Sequence, residues 1–153
     1  MDWDTYFANM LVAVACKSKD PNTKVGAIIV GPDREIRSTG YNSFPRGLND
    51  TVPERFERPE KYFWFEHAER NAIYNAARHG SSLKDCTLYV SMIPCLDCAR
   101  GLVQVGIKEV VVCEQNISTQ AKWDDHNKRI GQLFDECGVK IRHVRLDSDR
   151  KAI

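Results

Sequence analysis

Along the first segment Trp3, Tyr6, Phe7, Met10, Leu11 and Val14 recur at steps of three and four residues, the repeat that gathers side chains on one face of a helix. This pattern predicts an N-terminal helix with a single buried stripe, and such a stripe needs a sheet to cover. Asp20-Pro21-Asn22 interrupts the helical pattern. The run Val25-Gly26-Ala27-Ile28-Ile29-Val30 that follows reads as a buried strand, stopped by the turn Gly31-Pro32-Asp33. Residues 36–41 then pair back on it as a hairpin. Residues 67–79 contain good helix formers and end at Gly80, a suitable C-terminal stop. Further on, the pattern gives a strand over 88–91 and a helix over 95–105, the latter framed by Pro94 and Gly106. A strand over 109–113, a helix over about 126–137 closed by Gly138, and a strand over 139–144 complete the chain.

Strands separated by helices favour parallel neighbours joined by right-handed crossovers, whereas the first two strands form an antiparallel pair. The predicted fold class is therefore α/β, a three-layer α/β/α sandwich around a mixed sheet of about five strands. No internal repeat, low-complexity tract or linker divides the sequence, so residues 1–153 read as one domain. The irregular stretch is 43–65, carrying Pro45, Pro53 and Pro59, and segments of that length commonly serve as lids or binding loops. Within it Glu54-Arg55-Phe56-Glu57-Arg58 reads as a short solvated helix, and Tyr62, Phe63, Trp64 and Phe65 as core or subunit-contact residues rather than a base-stacking platform.

Composition narrows the range of partners. A chain of 153 residues with 42% hydrophobic and 28% charged positions is ordinary for a soluble globular domain. Lysine and arginine total 22 against 21 acidic residues, a net charge of +1, so no global field draws in nucleic acid or an anionic membrane. A small anionic substrate remains compatible, because a few local charges hold it. Met1-Asp2-Trp3-Asp4 is acidic where a signal peptide would be basic, and no apolar stretch approaches the roughly 18 residues of a membrane span, which predicts a cytoplasmic protein. Of the six cysteines, Cys16, Cys113 and Cys137 sit in or beside apolar segments and Cys86 just ahead of a strand, and all four read as small structural side chains.

The remaining two cysteines carry the chemistry. His67-Ala68-Glu69 is followed by Pro94-Cys95-Leu96-Asp97-Cys98, in which Cys95 and Cys98 stand three apart at the start of a predicted helix. Their sulfurs can face the same way, and the positive end of the helix dipole favours the thiolates that bind metal. Two thiolates and a neutral imidazole roughly cancel the charge of Zn²⁺, leaving an open position for water. Glu69, two residues from His67, is placed to move protons rather than to ligate. Three other readings compete, one of them a chance coincidence of the two motifs, which their joint placement at two predicted helix starts counts against. A C-x-x-C pair can be a redox motif, which would not need His-x-Glu; a structural zinc would need a fourth ligand, for which Cys86, Cys113 and His79 are the nearby candidates. His79, His126 and His143 read as surface or core histidines.

H-x-E followed by P-C-x-x-C is the known signature of zinc nucleobase deaminases, and the sequence resembles the deoxycytidylate (dCMP) deaminases of the cytidine deaminase superfamily over most of its length. The resemblance is carried by Lys19-Asp20-Pro21-Asn22-Thr23-Lys24-Val25-Gly26-Ala27 and Gly40-Tyr41-Asn42-Ser43-Phe44-Pro45-Arg46-Gly47. It continues through Lys61-Tyr62, His67-Ala68-Glu69-Arg70-Asn71-Ala72-Ile73, Pro94-Cys95-Leu96-Asp97-Cys98-Ala99 and Gln104-Val105-Gly106-Ile107-Lys108. It implies a cytidine deaminase-like fold, zinc held by His67, Cys95 and Cys98, Glu69 as proton shuttle, and Asn42 and Asn22 as nucleotide contacts. It also implies hydrolysis of dCMP to dUMP and ammonia, which supplies thymidylate synthesis, in a homo-oligomer, a hexamer by analogy. Glu66 and Arg70 depart from residues common in relatives at those positions, and 43–66 lacks the cysteines and histidines of a second zinc site, so one zinc per chain is expected. Lys19, Lys24, Arg46 and backbone N–H groups near Asn22 are the candidate phosphate donors. The alternatives are a superfamily deaminase acting on another cytosine nucleoside or nucleotide or on tRNA adenosine, and a zinc-stabilised binding protein without activity. The intact Glu69 counts against the last.

Overall fold

In the computed structural model, which describes residues 1–114 and 125–145, helix α1 (Trp3–Ala15) begins where the Asp2 carboxylate accepts the Thr5 N–H at 2.9 Å. Its buried stripe is Phe7, Ala8, Leu11 and Ala15. Trp3 and Tyr6, expected in that stripe, are largely exposed and form an aromatic rim, with Trp3 stacked on Phe7 at 5.7 Å. The helix touches the sheet most closely around Leu11 and Ala15, where a Cβ on Gly26 would lie 2.8 Å from the Leu11 carbonyl oxygen, so the first turn falls at the periphery.

The sheet contains β1 (Gly26–Val30), β2 (Ile36–Tyr41), β3 (Thr87–Val90), β4 (Glu109–Glu114) and β5 (Lys140–Arg145), in the order β2-β1-β3-β4-β5. Helices α3 (Ala68–His79), α4 (Leu96–Gln104) and α5 (Asp125–Glu136) are the other long helices. One face of the sheet presents Ile28, Val30, Tyr89 and Val111 to α1; the other presents Ala27, Ile29, Leu88, Val90, Val110 and Val112 to residues of α3, α4 and α5. This alternation produces the expected three layers, since successive strand residues point to opposite faces. β3, β4 and β5 run parallel through α4 and α5, as anticipated. β1, however, lies between β2 and β3 and is antiparallel to both, so the connection through α3 skips a strand.

Several side chains differ from expectation because of where the elements end. Cys86 and Cys113 are buried, but Cys16 and Cys137 follow the last turns of α1 and α5 and are exposed. The short helix anticipated over 54–58 is a single 3-10 turn, Pro53–Phe56, opened by the fixed φ of its proline. Phe44, Phe56 and Phe65 form a small aromatic cluster, with Phe44 and Phe65 centroids 4.3 Å apart. Helix α2 (Lys61–Trp64) follows, and its Tyr62 and Phe63 are 61% and 76% exposed on this chain, which excludes the core reading for them and leaves that of a subunit contact. The reading of His126 falls on a side chain outside the described residues.

The seam that positions the site is α3 on the edge strand β2. A Cβ on Gly40 would sit 2.3 Å from the Ala68 carbonyl oxygen and 2.4 Å from the Ala72 nitrogen, so only glycine lets this backbone meet the helix. Ala68, Ala72 and Ala76 continue the close contact. The amides of Asn71 and Asn75 donate to the Tyr41 and Thr39 carbonyls at 2.8 and 2.7 Å, and the Ser38 hydroxyl donates to the Ala72 carbonyl at 2.6 Å. Carbonyls that an edge strand would leave to solvent are thus capped by the helix. Gly40→Ala should destabilise the protein by at least about 3 kcal/mol, the upper end for overpacking, because backbone and not side chain must yield. Urea denaturation checks this, and a midpoint equal to wild type would show that the seam is not rigid.

Candidate metal centre and its cavity

β2 and β3 point the same way because each is antiparallel to β1. The helices that follow them, α3 and α4, therefore leave the same edge of the sheet and bring their N termini together. His67 is the N-cap residue of α3, and Cys95 is that of α4, both with extended backbone. Cys98 lies one turn into α4 and is fully buried. His67 Nδ1 stands 3.5 Å from the Sγ of Cys95 and 3.5 Å from the Sγ of Cys98, and the three donor atoms fall within 4.8 Å of one another. A tetrahedral zinc with legs of about 2.0 Å to nitrogen and about 2.3 Å to sulfur separates those donors by about 3.5 Å, so the geometry and the donor chemistry both fit that ion.

Among the described residues no fourth His, Cys, Asp or Glu joins this group. Cys113 is packed on the α1 face with Phe7 and Ile28, Cys86 lies just ahead of β3, and His79 closes α3 at the far end from His67. The structural-zinc reading loses its fourth ligand. His143, near Glu114 at 4.0 Å, and His79 stand away from the centre, as anticipated.

The electrostatics suit a cation. The thiol of Cys98 beside Cys95, the His67 ring and the Cys98 N–H at the start of α4 hold the Cys95 thiol far below the ordinary range, down to about 3 despite its burial. The same contact with Cys95, with burial, pushes Cys98 up, so the two sulfurs share a proton that a divalent ion would displace. Cys95 raises the affinity of His67 for its proton. Glu69, in the first turn of α3, is only 3% exposed, and burial pushes its carboxyl up. Glu66, one of the departures from common family residues, is an organising group: it accepts the His67 N–H at 3.0 Å and Arg70 Nε at 2.5 Å.

A cavity of about 340 Å³ opens onto His67, Glu69 and Cys95. Its apolar wall includes Val25, Ala68, Ile93 and Phe65, and its polar side Asp20, Thr23, Asn42, Arg58 and Lys61. Asn42, an expected nucleotide contact, does line it. The Asn42 side chain also braces the 23–25 loop, accepting the Val25 N–H at 2.8 Å and donating to the Thr23 carbonyl at 2.9 Å. Asn22 instead lies in an adjoining open hollow that shares Arg58 with the cavity. The backbone N–H groups of Asn22 and Thr23 are already engaged by the Asp20 carboxylate. Lys24 donates to the Ser18 carbonyl at 2.8 Å, while Lys19, paired with Asp50, and Arg46, bonded to Asn75, line a different depression. None of the three lysines and arginines expected at the phosphate lines this cavity.

The sequence reading missed the buried pair Lys61–Asp20, 2.8 Å apart. Burial raises the Asp20 carboxyl, but Lys61 and the N–H groups of Asn22 and Thr23 outweigh it and leave the pKa below the usual range. The two residues are 41 apart in sequence, and no spacing rule links them.

The fold and this centre together define a three-layer α/β/α domain with a three-donor metal site and a buried carboxylate beside it. A family profile described as the cytidine and deoxycytidylate deaminase zinc-binding region matches residues 1–114. Deoxycytidylate deaminase of Homo sapiens is 36% identical over 147 residues, covering 93% of this chain and 79% of that protein. Deoxycytidylate deaminase of Enterobacteria phage T4 is 48% identical over 157 aligned positions, covering 77% of this chain and 81% of that protein. Among solved structures, dCMP deaminase from the cyanophage S-TIM5 in its apo form superposes with a TM-score of 0.68 at 25% identity, covering 91% of this chain and 94% of that one. The chain belongs to the cytidine and deoxycytidylate deaminase family.

Cys95→Ala and Cys98→Ala should each abolish stoichiometric zinc, because two donors remain, whereas Cys113→Ala should keep it. Metal analysis after dialysis decides, and zinc lost with Cys113 alone would point to a different site. Zinc should also be released on acidification, where protons compete for the imidazole and the thiolates, as metal analysis after dialysis at falling pH would show.

Proposed function

We propose that the chain is a zinc-dependent hydrolase that deaminates dCMP to dUMP and ammonia and so supplies thymidylate synthesis. Glu69 carries the reading: a carboxyl only 3% exposed, in the same cavity as His67 and Cys95, forms no ion pair among the described residues and has the right surroundings for proton transfer. The family's dCMP-acting relatives, and a related cyanophage enzyme solved with dCMP and dUMP, support the choice of substrate.

His67, Cys95 and Cys98 would hold one zinc ion per chain, which when bound supplies a Lewis acid and lowers the pKa of water at its open position. Glu69 takes a proton from the attacking water and delivers one to N3 of the cytosine, which makes C4 electrophilic. The same carboxyl then carries a proton to the departing amine. Burial suits this role, since a carboxyl pushed up from its ordinary value holds a proton more readily than a solvated one. Asn42 retains one amide hydrogen and one lone pair for the nucleotide, and Asn22 stands in the hollow beyond Arg58. Among the described residues no helix is long and apolar enough to cross a membrane. A single domain over 1–153, a cytoplasmic location and a homo-oligomeric assembly, a hexamer by resemblance, complete the proposal.

Glu69→Gln should retain zinc and lose at least about 10⁴-fold in kcat, since one group serves several transfers. Near-normal turnover would end the mechanism. In a parallel ammonia-release assay, dCMP should exceed deoxycytidine in kcat/KM by at least about a hundredfold, as two or three charge-assisted phosphate contacts require, and an RNA hairpin should not react. Equal values for dCMP and deoxycytidine would move the chain to the nucleoside-acting branch.

A further inference from the structure

We propose that Arg58 recognises the substrate phosphate and makes the site selective for a nucleoside monophosphate over the free nucleoside. The inference rests on the dCMP reading and assigns that reading's phosphate to a residue that lay outside the expected donors. Its basis is the disposition of cations around the cavity. Lys61 lines the cavity but is closed into the buried pair with Asp20. Lys24 is held by the Ser18 carbonyl, and Lys19 and Arg46 face elsewhere. Arg58 lines the cavity, and among the described residues no carboxylate forms an ion pair with it. It therefore brings an uncompensated positive charge to a wall shared with His67 and Glu69. Glu57 faces the neighbouring hollow, not the cavity itself.

The mount is built for a fixed fork. The Arg58 guanidinium lies 5.7 Å from the centroid of the Tyr62 ring, a cation–π platform on a residue that also lines the cavity. The chain beyond it turns at once into α2, where the Lys61 N–H donates to the Glu57 carbonyl at 2.8 Å and the Lys61 side chain is locked to Asp20. Arg58 thus projects from a segment anchored on a buried ion pair. A planar guanidinium matches two phosphate oxygens at once, which a lysine ammonium does not reproduce. The exposed Tyr62 is explained by the same arrangement, because its ring faces the arginine and the substrate, and not a core.

The test compares kcat/KM for dCMP and for deoxycytidine in wild type, Arg58→Gln, Arg58→Lys and, as a control outside the cavity, Lys24→Gln. Arg58→Gln should lower kcat/KM for dCMP by roughly 10- to 100-fold, mainly through KM, while deoxycytidine turnover and zinc content stay at wild-type values. Arg58→Lys should fall between the two, and Lys24→Gln should match wild type. Inorganic phosphate should inhibit deoxycytidine turnover by wild type and less so by Arg58→Gln. A wild-type preference for dCMP that survives Arg58→Gln, or an equal loss on both substrates, would overturn the assignment of Arg58 alone. A wild type that does not distinguish dCMP from deoxycytidine would instead overturn the substrate reading, and the role of Arg58 with it.

Discussion

The approach of α3 to β2 at Gly40 is the contact on which the rest of the structure depends. With the Ala68 carbonyl and the Ala72 nitrogen where a Cβ would be, helix and strand backbones touch directly. The small residues Ala68, Ala72 and Ala76 keep that distance along the helix, while Ser38, Asn71 and Asn75 convert an edge strand's free groups into hydrogen bonds. The helix then has little freedom to slide. Because His67 caps its first turn and Glu69 lies within it, a fixed helix means a fixed imidazole beside the two cysteines and a fixed buried carboxyl next to it.

A second fixed point comes from α4. The antiparallel insertion of β1 between β2 and β3 makes the two helix-bearing strands point alike, and so two helix N termini meet over one edge of the sheet. Each N terminus carries partial positive charge and N–H groups, which favour a thiolate at Cys95. Topology and electrostatics therefore reinforce each other: the place where the chain brings a histidine and two cysteines together is also the place where the Cys95 sulfur loses its proton most easily, at the expense of Cys98. Glu66 strengthens this corner by bonding both the His67 backbone and Arg70.

Around the cavity, the lysine and arginine side chains are paired with carboxylates, with a single exception among the described residues. Asp20 and Lys61 neutralise each other in the interior, where breaking either partner would leave a buried charge at a cost of about 3–5 kcal/mol. Glu66 and Arg70 do the same nearer the metal donors. Among the described residues Arg58 is the cation of the cavity wall that no carboxylate pairs.

The sequence by itself determined the five strands, the long helices and the pairing of Cys95 with Cys98, because each rests on local physics. Alternating and 3.6-residue hydrophobic patterns need only near neighbours, glycines at 80 and 138 stop helices through their positive φ, and the Cys95 to Cys98 spacing acts within one helical turn. The patterns misled at element ends, as with Trp3, Tyr6, Cys16 and Cys137, where periodicity continues past the region that would bury it, and in the irregular 43–65 stretch, which has no periodicity to read. What the tertiary structure alone decided was long-range pairing. The position of β1 between β2 and β3, the Asp20–Lys61 pair, the engagement of Lys19, Lys24 and Arg46 away from the cavity, and the presence of Arg58 on its wall all join residues far apart in sequence. A charge written in a sequence has no partner until the chain is folded, and which charges are neutralised, and which one is left on the cavity wall, follows from distances in space that no local pattern encodes.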